Sequence, residues 1–138
     1  MYDHLGIVVT DLGVAQSFYD ACLLPLGIHL MQQNARDDGG SWLVYGTGAT
    51  EPFFVIACGT PPRFWSESNR PSISPIHVCF SASSTDAVDA FYDAALRSGG
   101  VDNGRPGERR SSTYYYAAYV IDPDGNNVEA GYRNYVVA

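Results

Sequence analysis

Phe18-Tyr19-Asp20-Ala21 stands fourteen residues after His4, and Phe91-Tyr92-Asp93-Ala94 stands fourteen residues after His77. Sliding the chain on itself by 73 residues superposes both strings without a gap. The same shift brings Leu23 onto Leu96 and Gly27 onto Gly100. A repeat of this kind means that one supersecondary unit is used twice.

Each copy opens on a strand pattern, at residues 4–10 and 76–82, short and rich in β-branched or aromatic residues. A helix follows. Thr10 or Asp11 can cap the first and Ser84 or Thr85 the second, because their side-chain oxygens accept the free backbone N–H groups of a first turn. Val14, Phe18 and Cys22 recur at helical spacing, as do Val88, Tyr92 and Ala95. Gly27 and Gly100 stand where a left-handed C-terminal cap is wanted. Strands are then expected at 41–45 and 52–58 in the first half, with 29–32 as a third, and at 114–121 and 127–132 in the second. The joining string Asp122-Pro123-Asp124-Gly125-Asn126 is turn chemistry, with Pro presetting φ and Gly or Asn tolerating positive φ. Each half reads as βαβββ. The expected fold is α+β: one domain over 1–138, with module one about 1–60, a linker about 60–75 rich in Pro, Ser and Arg, and module two about 75–138. The two modules are expected to form an open, curved mixed sheet around a central cleft.

Composition removes several function classes. The formal net charge is −7. The basic residues are all arginines, scattered, with only Arg109 and Arg110 adjacent, so the electrostatic footprint of a nucleic-acid or anionic-membrane binder is missing. No apolar run is long enough for a spanning helix, and no leader pattern precedes the first strand. Cys22, Cys58 and Cys79 form no CxxC pair. A cytoplasmic, reduced location is expected.

His4 and His77 occupy matching places on the first strand of each module. If the modules pack with pseudo-twofold symmetry, both imidazoles reach one cleft. Glu129 lies on the last strand between Val128 and Ala130, which alternation sends to the opposite face. A carboxylate facing inward among apolar neighbours is costly unless it is paired or holds a cation. Two imidazoles and a carboxylate accept Fe, Mn, Ni, Co or Zn and leave coordination positions open. The 73-residue shift carries Glu129 onto Ile56, so the fourth symmetric position is apolar and three protein ligands are expected. His29 has no repeat partner.

These residues resemble the glyoxalase, bleomycin-resistance and extradiol-dioxygenase superfamily, also called vicinal oxygen chelate proteins. Asp3-His4-Leu5-Gly6-Ile7, Asp11-Leu12 and Phe18-Tyr19 look like its first module, and Ile76-His77-Val78-Cys79-Phe80 like its second histidine strand. Asp122 to Glu129 is close to its characteristic ending and is the most specific of the three. The resemblance implies a metal held by His4, His77 and Glu129. The apolar Ile56 departs from the four-ligand pattern of glyoxalase I. Many small members of that superfamily pair as homodimers with exchanged modules, so the resemblance also implies a homodimer in which His4 joins the His77 and Glu129 of a second chain.

The leading expectation is a divalent-metal-dependent enzyme, of lyase, isomerase or dioxygenase type, polarising an oxygen of a small substrate by Lewis-acid action. Glu129 is a ligand and candidate base, and Tyr116 a candidate proton donor. The aromatic rings of Trp42, Tyr45, Phe54 and Tyr119 suit an apolar or aromatic ligand. The competing expectation is a drug or small-molecule sequestration protein of the bleomycin-resistance type without catalysis. Specificity is expected in loops at 33–40, 60–75 and 102–113, with Arg36, Arg63, Arg70 and Arg109 as candidate anion holders.

Overall fold

A computed structural model describes residues 2–37, 39–48, 51–58, 75–109 and 114–133. In chain order these form β1 (Leu5–Val8), α1 (Leu12–Leu23), a 3-10 turn (Leu24–Leu26), β2 (His29–Ala35), β3 (Ser41–Thr47) and β4 (Glu51–Cys58). Then come β5 (His77–Ser81), α2 (Thr85–Arg97), β6 (Val101–Glu108), β7 (Tyr115–Ile121) and β8 (Asn127–Arg133). Two four-stranded sheets result, ordered β1-β4-β3-β2 and β5-β8-β7-β6. In each the first strand runs parallel to the last and the other pairings are antiparallel. The βαβββ unit therefore occurs twice, as the repeat requires. Most of the linker expected at 60–75 lies outside the described residues, as do Arg63 and Arg70.

The helices begin where the sequence provides acceptors. Asp11 takes the N–H of Val14 and Ser84 takes that of Ala87, closing orphan donors of each first turn. Both helices bury the same face. Ala15, Phe18, Tyr19 and Cys22 in α1 match Val88, Phe91, Tyr92 and Ala95 in α2, all at the 73-residue shift. Val14, expected on that face, is 49% exposed instead; the buried stripe runs through the residue after it.

The helix-bearing faces of the two sheets share one core. Phe54 of β4 meets Phe80 of β5 edge to face at 5.2 Å, and Phe54 also meets Tyr19 at 5.2 Å. Fully burying a side chain of this size contributes on the order of 2 kcal/mol. The two glycines expected as helix caps divide into different roles. Gly27 ends the first helical segment at φ 73°, but in the second copy the positive φ belongs to Gly99, at 96°. Gly100 is needed for close approach: a Cβ there would lie 2.8 Å from Cε2 of Phe18, across the module boundary, and 2.9 Å from the Ala95 carbonyl.

Polar contacts join the modules at one more place. Asp122 is 4% exposed. Its Oδ1 accepts from the N–H groups of Asp124 and Asn126, and its Oδ2 from Nδ2 of Asn126 and the hydroxyl of Tyr19. Asn126 in turn accepts from the Ile76 N–H, and Asp124 accepts from both the N–H and the hydroxyl of Thr10. The β7–β8 turn is thus tied to α1, to the residue before β5, and to the end of β1.

Candidate functional site

Strand alternation sorts the candidate residues by face. On β8, Val128 and Ala130 enter the core, so Glu129 projects from the other side. Cys79 of β5 and Tyr119 of β7 are its direct neighbours in register. His77 precedes Cys79 by two residues and shares that face, and its ring lies 6.3 Å from the ring of Tyr119. Tyr115 and Arg133, paired in register, complete the row. A cavity of about 500 Å³ opens here, lined by His77, Cys79, Ser81, Ala82, Tyr115, Glu129, Gly131 and Arg133, all from module two.

The hydrogen bonds fix the chemistry of two of the donors. Nδ1 of His77 is 3.2 Å from the Asn127 carbonyl oxygen. A carbonyl only accepts, so Nδ1 carries a proton, and a ring with that single proton would present a lone pair at Nε2. That Nε2 is 3.0 Å from Oε2 of Glu129. The second carboxylate oxygen, Oε1, accepts from the Tyr115 hydroxyl. Glu129 is 4% exposed. A buried carboxylate oxygen facing a lone pair at this distance calls for positive charge between or beside them, either a proton on Nε2 or a bound cation. The donor set fits a metal on this side.

Neighbouring groups are kept neutral. Burial raises the Tyr115 phenol, and its bond to Glu129 raises it further. Tyr119 is raised by desolvation and then by the Glu129 charge. Cys79 faces the cleft side, but the side chains packed round its thiol displace water and push it up to about 11. It is a poor nucleophile at neutral pH.

The third expected ligand is elsewhere. Among the described residues no three His, Cys, Asp or Glu side chains come together closely enough to hold a metal. His4 sits just before β1 with its side chain 55% exposed and Nδ1 2.6 Å from a carboxylate oxygen of Asp3. By alternation it belongs to the outward face of module one, with Gly6, Val8, Val55 and Trp42.

Three expected cleft residues face the core instead. Tyr45 is fully buried and donates to Asp20 of α1 at 2.8 Å. Phe54, its partner in register, is packed between Tyr19 and Phe80. Tyr116 donates to Asp89 of α2 at 2.8 Å, so it cannot serve a group beside Glu129. Its neighbour Tyr115 occupies the place expected of it. Trp42 and Tyr119 remain on the outward faces. The symmetric counterpart of Glu129 also changes. Glu129 faces Cys79 across the parallel pair, and Cys79 corresponds to Gly6, which faces Val55. The copies slip by one residue between first and last strands, so Val55, not Ile56, is the fourth position. It too is apolar. Ile56 lies in the core.

Arg109 is half-buried, not solvated. Its guanidinium lies 4.9 Å over the Tyr119 ring, with Nη2 donating to the carbonyls of Arg105 and Ala117. Of the loops expected to set specificity, 101–108 is strand β6, and β2 runs on to Ala35. His29 is exposed at the start of β2. Sequence reasoning did not single out Tyr115, Cys79 or Arg133. Alternation from Glu129 along β5 and its distance-two neighbours on β7 and β8 was the signal that could have found them.

Two βαβββ modules, with a histidine–carboxylate pair on the face opposite the helices, define the class of fold. The chain belongs to the Glyoxalase/Bleomycin resistance protein/Dioxygenase superfamily, whose family model matches residues 2–130. It is 30% identical to a glyoxalase/bleomycin resistance protein from Albidiferax ferrireducens, with a TM-score of 0.69 over 97% of this chain and 99% of that one. A glyoxalase/bleomycin resistance protein/dioxygenase family enzyme from Burkholderia phytofirmans shares the fold at 16% identity, with a TM-score of 0.68 over 94% and 96% of the two chains. A mutant of glyoxalase I from Zea mays does so at 18% identity and a TM-score of 0.70, with 94% of this chain covering 43% of that longer one. No curated protein sequence gives a match. No helix among the described residues is long and apolar enough to cross a membrane.

Proposed function

We propose that this protein is a divalent-metal-dependent enzyme acting on a small oxygen-bearing molecule, and that its working form is a homodimer. The observation that carries this reading is the 3.0 Å approach of His77 Nε2 to Oε2 of a nearly inaccessible Glu129 while Nδ1 faces a carbonyl oxygen. His77, Glu129 and His4 of a second copy would hold the ion. A divalent cation there would supply Lewis acidity toward a substrate oxygen. The chain's own groups do the rest. The Asn127 carbonyl holds the imidazole in the tautomer that leaves Nε2 free. The Tyr115 hydroxyl orients Glu129 through Oε1 and keeps its proton at that atom. The dimer is supported by two facts: the described residues lining the cavity beside Glu129 all come from module two, and His4 is exposed on module one.

The test is elemental analysis of protein exchanged into metal-free buffer and titrated with Fe, Mn, Ni, Co and Zn. The wild type should retain about one ion per chain, and His77→Ala and Glu129→Gln should retain little. Equal metal content in all three would end the metal reading.

The apolar Val55 at the fourth symmetric position and Trp42 on the same face favour a second reading, sequestration of an apolar ligand without chemistry. Ligand binding that is unchanged in a His4→Ala, His77→Ala, Glu129→Gln triple variant would decide for it.

A further inference from the structure

We propose that Arg133 anchors an anionic group of the ligand, so that the molecule taken by this cavity is a small carboxylate or an oxyanion of similar geometry. The inference rests on the reading of the Glu129 cavity as the functional site and adds the chemical class of what enters it.

The Tyr115 ring packs against two residues of β8. One is Gly131, where a Cβ would fall 2.5 Å from the phenolic oxygen and 2.8 Å from Cε2. Any side chain at 131 would displace the ring. The other is Arg133, whose guanidinium carbon is 3.7 Å from the ring centroid. Stacking uses the flat face of a guanidinium and leaves its in-plane N–H donors available. The same ring points its hydroxyl at Glu129, so the stack sets the cation at a fixed place relative to the His77–Glu129 pair.

Among the described residues no carboxylate and no carbonyl accepts from the donors of Arg133. Arg109 differs, since two carbonyls take its Nη2. Glu129 is the only acidic side chain among the described residues lining the cavity; its Oε1 accepts from Tyr115 and its Oε2 faces His77. The cavity therefore offers one fork of donors on an aromatic platform and no free acceptor of comparable strength. A planar carboxylate matches that fork in a bidentate manner.

Three matched pairs serve as probes: benzoate with benzamide, salicylate with salicylamide, and lactate with lactamide. Binding is measured by calorimetry at low ionic strength, on protein loaded with metal and on chelator-treated protein. At least one carboxylate should bind tenfold or more tightly than its amide. That preference should vanish in Arg133→Gln, with the carboxylate weakened roughly ten- to hundredfold, persist in part in Arg133→Lys, and weaken in Gly131→Ala. Arg133 is exposed, so the melting curve and metal content of Arg133→Gln should match the wild type. Equal binding of each pair, no binding of any carboxylate, or a preference that survives Arg133→Gln would overturn the inference. A preference that persists without metal and disappears in Arg133→Gln upholds it even where the metal reading fails.

Discussion

The hydroxyl of Tyr19, in the helix of module one, donates a 2.7 Å hydrogen bond to Asp122, in the last turn of module two. Both groups are buried, and the bond closes a set in which each Asp122 oxygen accepts twice. Tyr19→Phe removes the donor and leaves the carboxylate short of a partner it has no water to replace. The expected loss is about 1–3 kcal/mol, read as a lower urea midpoint. Asp122→Ala should cost more, since Asn126 and two backbone N–H groups also lose their acceptor.

The same phenol gives a pH dependence. Burial, then the neighbouring Asp122, raises Tyr19 far above its ordinary value, and burial with Asp20 does the same for Tyr45. In the unfolded chain these groups lose their protons near pH 10; in the folded chain they keep them. The unfolded state therefore binds fewer protons at high pH, and stability falls as pH rises above about 10. Chemical denaturation between pH 8 and 11 should show this slope, and a Tyr19→Phe, Tyr45→Phe double variant should show a shallower one.

Adjacent glycines should respond differently to alanine. Gly99→Ala strains a φ of 96° with open space around the new methyl group, for a cost of roughly 1 kcal/mol. Gly100→Ala drives the methyl into Phe18 and the Ala95 carbonyl, an overpacking cost of about 1–3 kcal/mol. Thermal melts of the two variants should rank Gly100→Ala as the less stable.

Mixing variants tests whether the proposed metal site spans two chains. His4→Ala and His77→Ala should each bind little metal alone. After joint unfolding and refolding, a dimer of one chain of each kind has one site with both histidines intact. About a quarter of the wild-type metal content should return at equal mixing, by simple counting of chains that associate at random. No recovery would place all three ligands within one chain, and full metal content in His4→Ala alone would remove His4 from the set.

The repeat made the architecture legible because both copies bury the same helix face, and the turn string marked the start of β8. The parity that put Glu129 opposite Val128 and Ala130 was also readable. What the sequence concealed has local physical causes. Tyr45, Phe54 and Tyr116 are strand aromatics whose face depends on register, and one residue of slip reverses it. The one-residue difference between copies made Ile56 look equivalent to Glu129 when Val55 is. Strand β6 has the composition of a loop, since Val101–Glu108 contains two glycines and a proline, and its pairing with β7 has two irregularities. Nothing in the sequence around Arg133 reveals the Tyr115 ring that its guanidinium covers.

The hydrogen bonds gathered by Asp122, Asp124 and Asn126 give the most recognisable string of the chain an architectural purpose. Its aspartates hold one half of the molecule to the other; only the glutamate three residues on faces the cavity. A descendant could exchange that glutamate for a neutral side chain, abandon the proposed chemistry, and still carry the string intact. Finding it in a genome therefore announces a shape, and activity has to be sought at the residue that follows.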